Sequence, residues 1–344
     1  MWQVDNNTPL AIERGFLRDG DGVENWVVVI KGAFDVHSDG RLRRAKEQIP
    51  PARTAQWSGE PGRSNFLQDT DFVLTKRGTD VLVRGHAYAP KNRPARAIDL
   101  GLKIGKQTKQ IRAFGARAWM QSTVSSAIVP GPAVPFERLR LSYEHAFGGV
   151  DPDAPKGRPA ASAFNPLGTG FRYEPESLIG SAAPRFEHPD ESLRAGAHDA
   201  EPPGFGPLAP GWVPRVRYAG TYDEQWKSNR APLLPADFDD RFNQSAPLDQ
   251  QSPTFLRPGD QIALLNGSPS GFLGFRVPEL KFGMRVIFSD GEEAAPAALH
   301  TVLVDGDSSR VQLTWHCRLP CHAREHRLLR AVINWEGDRA CLSP

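Results

Sequence analysis

Near the end of the sequence, His322-Ala323-Arg324-Glu325-His326 fits the pattern H-x-x-E-H. In that pattern two histidines one helical turn apart hold Zn²⁺ and the glutamate serves as general base. Such a site needs a long helix and a third ligand well downstream. Here Pro320 stands just before the motif, and eighteen residues follow it, with Glu336 the one late glutamate. A short pattern with three fixed positions also arises by chance, and the plainer reading is a solvated charged turn. Cys317 and Cys321 widen the cluster, because thiolate and imidazole are preferred zinc ligands. Yet Cys317, Cys321, His322 and His326 all fall within ten positions, whereas structural zinc sites usually separate their ligand pairs by about a dozen residues or more. Ordinary core cysteines fit the spacing better, so no metal and no cofactor is expected.

A second polar group is Asp237, Asp239 and Asp240, in Pro235-Ala236-Asp237-Phe238-Asp239-Asp240-Arg241-Phe242. Paired carboxylates can bind a divalent cation or do acid–base work on a sugar. Turn chemistry explains them more simply, since Asp after Pro caps backbone amides and Arg241 offers an ion-pair partner. Tyr143-Glu144-His145 and Thr221-Tyr222-Asp223-Glu224 are polar enough for catalysis but bring no recognisable nucleophile, and no Gly-x-Ser-x-Gly elbow exists. Phosphate loops fail as well. Gly101-Leu102-Lys103-Ile104-Gly105-Lys106-Gln107 is one residue short between its glycines and ends in Gln, and Gly168-Thr169-Gly170 lacks the third glycine of a dinucleotide fingerprint. The motifs therefore argue against an enzyme.

The elements that must position these residues read as strands and turns. Trp26-Val27-Val28-Val29-Ile30-Lys31-Gly32-Ala33-Phe34 is β-branched and aromatic and is closed by Ser38-Asp39-Gly40, as a central strand would be. Further strands are expected over 71–76, 81–89, 97–104, 110–117 and 138–143, with Gly78-Thr79-Asp80 separating the first two at hairpin length. After Asp260 strand signals return over 261–265, 271–277, 284–289, 299–304 and 310–316, and 325–335 leans towards strand. Val311, Leu313 and Trp315 alternate with Gln312, Thr314 and His316, the pattern of a half-buried strand. Between these stretches, residues 151–214 hold twelve prolines and eight glycines with no sustained period, yet also six aromatics, Phe164, Phe171, Tyr173, Phe186, Phe205 and Trp212. That is too aromatic for a solvated linker, so an ordered loop layer is expected. The expected fold is mainly β: antiparallel, sandwich-like parts over 1–147 and 260–344, joined by a Pro/Gly-rich ordered loop region over 148–259.

Composition agrees. With 32 Gly and 31 Pro in 344 residues, turns must be frequent and helical bundles are excluded, while 39% hydrophobic residues are too many for disorder. Forty-two basic and 40 acidic residues leave +2, with no basic run, so nucleic acid is not an expected partner. The longest apolar run, Trp26 to Ile30, is far too short to span a membrane, and the N-terminus lacks the basic start and apolar core of a signal peptide. Three cysteines, all late, make no disulfide framework, so a cytoplasmic location is expected and the sequons at Asn6, Asn243 and Asn266 are incidental.

Four ordered motifs are more specific. Tyr143-Glu144-His145-Ala146-Phe147-Gly148-Gly149, Asn165-Pro166-Leu167-Gly168-Thr169-Gly170, Ala219-Gly220-Thr221-Tyr222-Asp223-Glu224-Gln225-Trp226 and Ala231-Pro232-Leu233-Leu234-Pro235-Ala236-Asp237-Phe238-Asp239 occur in this order. Together with Val29-Ile30-Lys31-Gly32-Ala33-Phe34-Asp35 and Asp39-Gly40, this set resembles a bacterial domain-of-unknown-function family whose members act as effector adaptors or chaperones in type VI secretion. The resemblance runs from Asn7 to Trp315, and the H-x-x-E-H cluster is not part of the family pattern. It implies a non-catalytic loader that binds the N-terminal region of a secreted effector and mounts it on the spike or spike-tip protein. A partner that covers an effector's apolar delivery segment needs a broad aromatic surface with a polar rim. Candidates for that surface are Trp212, Tyr222, Asp223, Trp226 and Phe238, while Phe147, Gly148, Gly149, Asn165, Pro166, Gly168 and Gly170 are expected to serve backbone conformation. The competing readings are a zinc-dependent hydrolase on His322, Glu325 and His326, and a carbohydrate-binding β-sandwich using tryptophans beside Asp237 to Asp240.

Overall fold

The computed structural model describes residues 3–191 and 193–342. The chain is mainly β, in several sheets. Its centre is the strand Glu24–Val36, whose run Val27 to Ile30 is buried on both faces. That burial explains the continuous β-branched run, since a strand covered on both sides has no polar face to show. Glu24–Val36 pairs antiparallel with Ala11–Arg18 on one side and with Arg310–Pro320 on the other. Ala298–Asp305 and then Asp80–Arg84 complete that side of the sheet, and Leu42–Arg44 pairs with the end of the central strand.

A second sheet runs Phe186–Glu187, Gln107–Phe114, Ala97–Ile104, Gln261–Leu265, Phe272–Arg276. A third places Gln3–Asn6 beside Leu328–Gly337, then Leu280–Phe288 and Gly291–Pro296. All three contribute to one apolar core, in which Val28, Ile30 and Phe34 join Leu100, Leu102 and Ile262 from the second sheet and Met284, Val286 and Ile333 from the third. Among the described residues no helix is long and apolar enough to cross a membrane.

Each sheet thus draws strands from both ends of the chain, and the stretches 1–147 and 260–344 do not form separate parts. Hydrophobic pattern reports which face of a strand is buried but not which strand covers its edge. The same limit explains the Gly78-Thr79-Asp80 turn. The segment before it, 71–76, is irregular, and Asp80–Arg84 pairs parallel with Ala298–Asp305, a partner more than two hundred positions away. Parallel pairing needs a long crossover and leaves no local spacing signal.

Arg310–Pro320 also departs from its expected half-buried character. Val311, Leu313 and Trp315 face the core, but Gln312, Thr314 and His316 are buried too. Segment 65–80 and the chain around 244–252 cover this second face and meet its polar groups with their own. Lys31 Nζ reaches Asp71 Oδ2 at 2.8 Å, and Lys76 Nζ reaches Asp80 Oδ2 at 2.7 Å. Asp71 also accepts from Ala52 N, and Asp80 from Ser245 N. Asp71 and Lys76 close this layer with their side chains, and the backbone of 71–76 joins no ladder.

Among its described residues the expected loop region contains two-residue strands, isolated bridges, 3₁₀ turns and the six-residue helix Glu224–Asn229. Phe171, Phe186, Phe205 and Trp212 are buried within it or beneath it. Its aromatics staple irregular backbone to the sheets.

Candidate functional site

Two of the four motifs build a backbone joint. Phe147–Gly148 pairs parallel with Thr169–Gly170. Asn165 is fully buried behind them, and its side-chain amide donates to Tyr143 O at 2.8 Å and to Phe147 O at 2.9 Å. Gly148 sits at φ +142°, and a Cβ there would stand 2.1 Å from Asn165 O; a Cβ at Gly168 would stand 2.4 Å from Asn165 Nδ2. The chains approach too closely for any side chain. Gly149 and Gly170 also have positive φ, Phe147 is buried and Pro166 half-buried in the Asn165 turn. Gly148→Ala is therefore expected to lower the thermal unfolding midpoint by about 3 °C or more for a cost of ~2 kcal/mol or above. Calorimetry checks this, and an unchanged midpoint would contradict the joint.

The other two motifs form a clasp. Asp237 accepts from Thr221 N at 2.9 Å and from Thr221 Oγ1 at 2.7 Å, and these bonds hold its carboxyl below the usual carboxylate range. Gly220, at φ +81°, passes where a Cβ would lie 2.8 Å from Pro235 Cβ. Asp223 caps the helix Glu224–Asn229 by accepting from Trp226 N at 2.8 Å. Trp226 Nε1 in turn donates to Leu233 O at 2.8 Å. Arg230 completes the clasp by donating to Leu234 O and, at 2.6 Å, to Gly20 O in the turn between Ala11–Arg18 and Glu24–Val36.

Between the clasp, that turn and the segment around Phe72 lies an open groove of about 600 Å³. Leu17, Phe72, Tyr222, Leu234 and Phe238 supply its apolar lining. Tyr222 is 55% exposed and stands edge-on to Trp226, ring centroids 4.7 Å apart. Phe238 packs against Phe242 at 5.8 Å. Arg18, Asp21, Arg230, Asp240 and Arg318 supply charge around it. The Arg215 guanidinium is buried below, 2.5 Å from Asp69 Oδ2, and also bonds Leu208 O and Phe242 O. Desolvation raises the Asp240 carboxyl. Two larger depressions, of about 950 and 1280 Å³, lie elsewhere on the surface and hold none of Tyr222, Asp223, Trp226 and Phe238.

Of the expected surface residues, Tyr222 and Phe238 face the groove, Trp226 backs Tyr222, and Asp223 is a helix cap. Trp212 is not a surface residue. It is 4% exposed and meets Tyr143 edge-on at 5.5 Å in the core. An aromatic in a Pro/Gly-rich stretch reads as accessible from sequence, yet here the loop has folded over it. The acidic knot holds the local chain together: Asp239 pairs with Arg241 at 2.7 Å and Arg77 at 2.9 Å, while Asp237 is spent on Thr221. Phe72, Leu17 and Arg230 come from segments that sequence reasoning did not connect to the motifs. Arg230 carries the one available signal, since it lies between them.

The H-x-x-E-H stretch forms no α-helix. His322 and Ala323 take left-handed conformations, φ 48° and 62°, and Arg324 N closes the turn onto Cys321 O at 2.9 Å. Glu325–Arg327 is a 3₁₀ turn leading into Leu328–Gly337, so the two histidines lack the helical spacing that the hydrolase reading requires. Both are exposed, whereas Cys317 and Cys321 are buried. Burial pushes the Cys317 thiol up to about 12. Among the described residues no group of three or more His, Cys, Asp or Glu side chains gathers at metal-binding range.

Residues 21–316 match a family model described as an uncharacterized protein conserved in bacteria, DUF2169. No curated protein and no solved structure matches the chain.

Proposed function

We propose that this chain, which belongs to the bacterial DUF2169 family, is a non-catalytic adaptor that docks the N-terminal region of a secreted effector and loads it onto the spike of a type VI secretion apparatus. The observation that carries the reading is the groove of the paired motifs. Ala219 to Trp226 and Ala231 to Asp239 clasp each other through Thr221 and Asp237, and the clasp presents Tyr222 and Phe238 beside Phe72 and Leu17. An apolar floor with a charged rim suits the anchor residues of a polypeptide. The most polar motif residues support the same reading. Asp223, Asp237 and Asp239 are all engaged in caps, clasps or ion pairs, which leaves them to shape a docking surface rather than to move protons.

The test is co-expression of the full chain with the effector and spike proteins encoded beside it, followed by purification on a tag carried by the effector. A stoichiometric complex is expected with the native chain, and Tyr222→Glu should lose it while keeping its unfolding midpoint. Retention of the complex by Tyr222→Glu would remove the groove from the interface. Failure of the native chain to co-purify with any neighbour would overturn the adaptor reading itself.

A further inference from the structure

Apart from the groove, a short ladder pairs His86–Tyr88 with Arg138–Arg140: Arg138 lies opposite Tyr88, Leu139 opposite Ala87, and Arg140 opposite His86. Leu139 is buried and the two arginines beside it are exposed. We propose that the free edge of Arg138–Arg140 is a second docking site, which takes an extended acidic segment of a protein partner by strand addition.

The register sets which way the backbone points. Ala89 N donates to Glu137 O at 2.8 Å and Leu141 N to Gly85 O at 2.9 Å. Residues 137, 139 and 141 therefore spend their amides and carbonyls on the ladder, and alternation turns those of Arg138 and Arg140 to the opposite edge. One step back on that edge Phe136 exchanges both backbone bonds with Ala95, and among the described residues no strand pairs beyond it with Arg138 or Arg140. An open edge of this kind is satisfied by another extended backbone.

Charge selects which backbone. Arg138 and Arg140 make no ion pair among the described residues, although arginines on neighbouring strands do: Arg84 with Asp305 at 2.8 Å and Arg112 with Asp99 at 2.6 Å. Asp307, beside the partner strand, is already occupied by His86 N, His86 Nδ1 and the Tyr88 hydroxyl, at 2.9, 2.8 and 2.9 Å. Glu137 falls on the other face by alternation. Arg185 adds a third cation behind the edge, its guanidinium 5.9 Å from the Phe136 ring centre. The His145 imidazole is held below its ordinary value by burial and then by the charge of Arg185, against the opposing carboxylate of Glu144 and with a smaller push from Arg140, so Arg140 and Arg185 act on one neighbourhood.

Alternate residues of a strand are about 6.7 Å apart on one face, so carboxylates at every second position of an added strand meet both guanidiniums in register. A second copy of this edge would set arginine against arginine, which is repulsive. A nucleic acid offers no amide–carbonyl ladder for the open backbone groups.

The test uses the full chain and a synthetic peptide with Asp at alternate positions and Thr between, followed by fluorescence anisotropy and amide hydrogen exchange. The peptide is expected to bind, to protect the Arg138 and Arg140 amides, and to bind about tenfold or more weakly to Arg138→Glu/Arg140→Glu. N-methylation of its edge-facing amides should remove binding without changing its charge. The proposal is overturned if the peptide does not bind, if charge reversal or N-methylation leaves affinity unchanged, if the two amides stay unprotected, or if a single-stranded oligonucleotide of equal charge binds as tightly. Because Arg138 and Arg140 side chains are exposed, the variant should keep the native unfolding midpoint, which separates lost docking from lost fold.

Discussion

Asp80→Ala is expected to lower the free energy of unfolding by about 3–5 kcal/mol, the range for breaking one side of a buried ion pair. Asp80 is 0% exposed and its carboxylate takes Lys76 Nζ at 2.7 Å and Ser245 N at 2.8 Å. Removing it strands the Lys76 ammonium, whose one remaining side-chain partner is Thr301 Oγ1 at 3.1 Å. It also frees the backbone amide that ties the loop at Ser245 to the central sheet. The double variant Lys76→Met/Asp80→Asn is expected to cost less than Asp80→Ala alone, because the charge is removed together with its counter-ion. Urea unfolding of the three proteins checks this. A loss under about 1 kcal/mol for Asp80→Ala would place it with ordinary surface substitutions and contradict the buried layer.

Acid should weaken the same layer through its histidines. His300 and His316 stack with ring centroids 4.5 Å apart and 9° between planes, and Phe255 lies on the outer face of His300. Burial pushes the His316 imidazole down to about 3, with the Lys76 and Arg318 charges adding to it. His300 is held well below its ordinary 6.5, again by burial first and then by His316 and Lys76. Both folded-state values are depressed, so the unfolded chain takes up protons near pH 6.5 while the folded chain stays neutral. Stability is then complete above about pH 6.5 and falls as pH drops, by roughly 1–2 kcal/mol per pH unit for each histidine still neutral in the folded chain, which for His316 continues towards about pH 3. His316→Gln should flatten that decline between about pH 6.5 and 4.5, even if it lowers stability at neutral pH. Identical slopes for the native and substituted proteins in urea titrations would contradict it.

Strand positions were legible where one face alone is buried. Ala97–Ile104 and Gln261–Leu265 lie at their expected bounds because their side chains alternate between core and exterior. Pairing partners were not legible, since Gln3–Asn6 against Leu328–Gly337 and Asp80–Arg84 against Ala298–Asp305 are parallel contacts between distant segments. Nor was the polar layer, because Gln312, Thr314 and His316 read as solvent-facing until Asp71 and Lys76 are seen to cover that face and pair with its Lys31 and Asp80. At the groove, Tyr222 and Phe238 were recognisable as aromatics within ordered motifs, and Asp237 as a turn acid. Trp212 was misplaced for a related reason. A tryptophan and a tyrosine look equally available in a Pro/Gly-rich sequence, and only packing against Tyr143 decides that one of them is core.

The proposed adaptor role requires a polypeptide bound across Tyr222 and Phe238, so the most direct measurement is the dissociation constant of the full chain with the N-terminal region of a candidate effector from its gene neighbourhood. Isothermal titration of the native chain and of Tyr222→Glu provides it, with unfolding midpoints recorded for both. A defined one-to-one complex is expected, weakened by about thirtyfold or more in Tyr222→Glu at an unchanged midpoint, as for loss of an aromatic anchor. Equal affinity of the two proteins, or no heat of binding for the native chain, would contradict it.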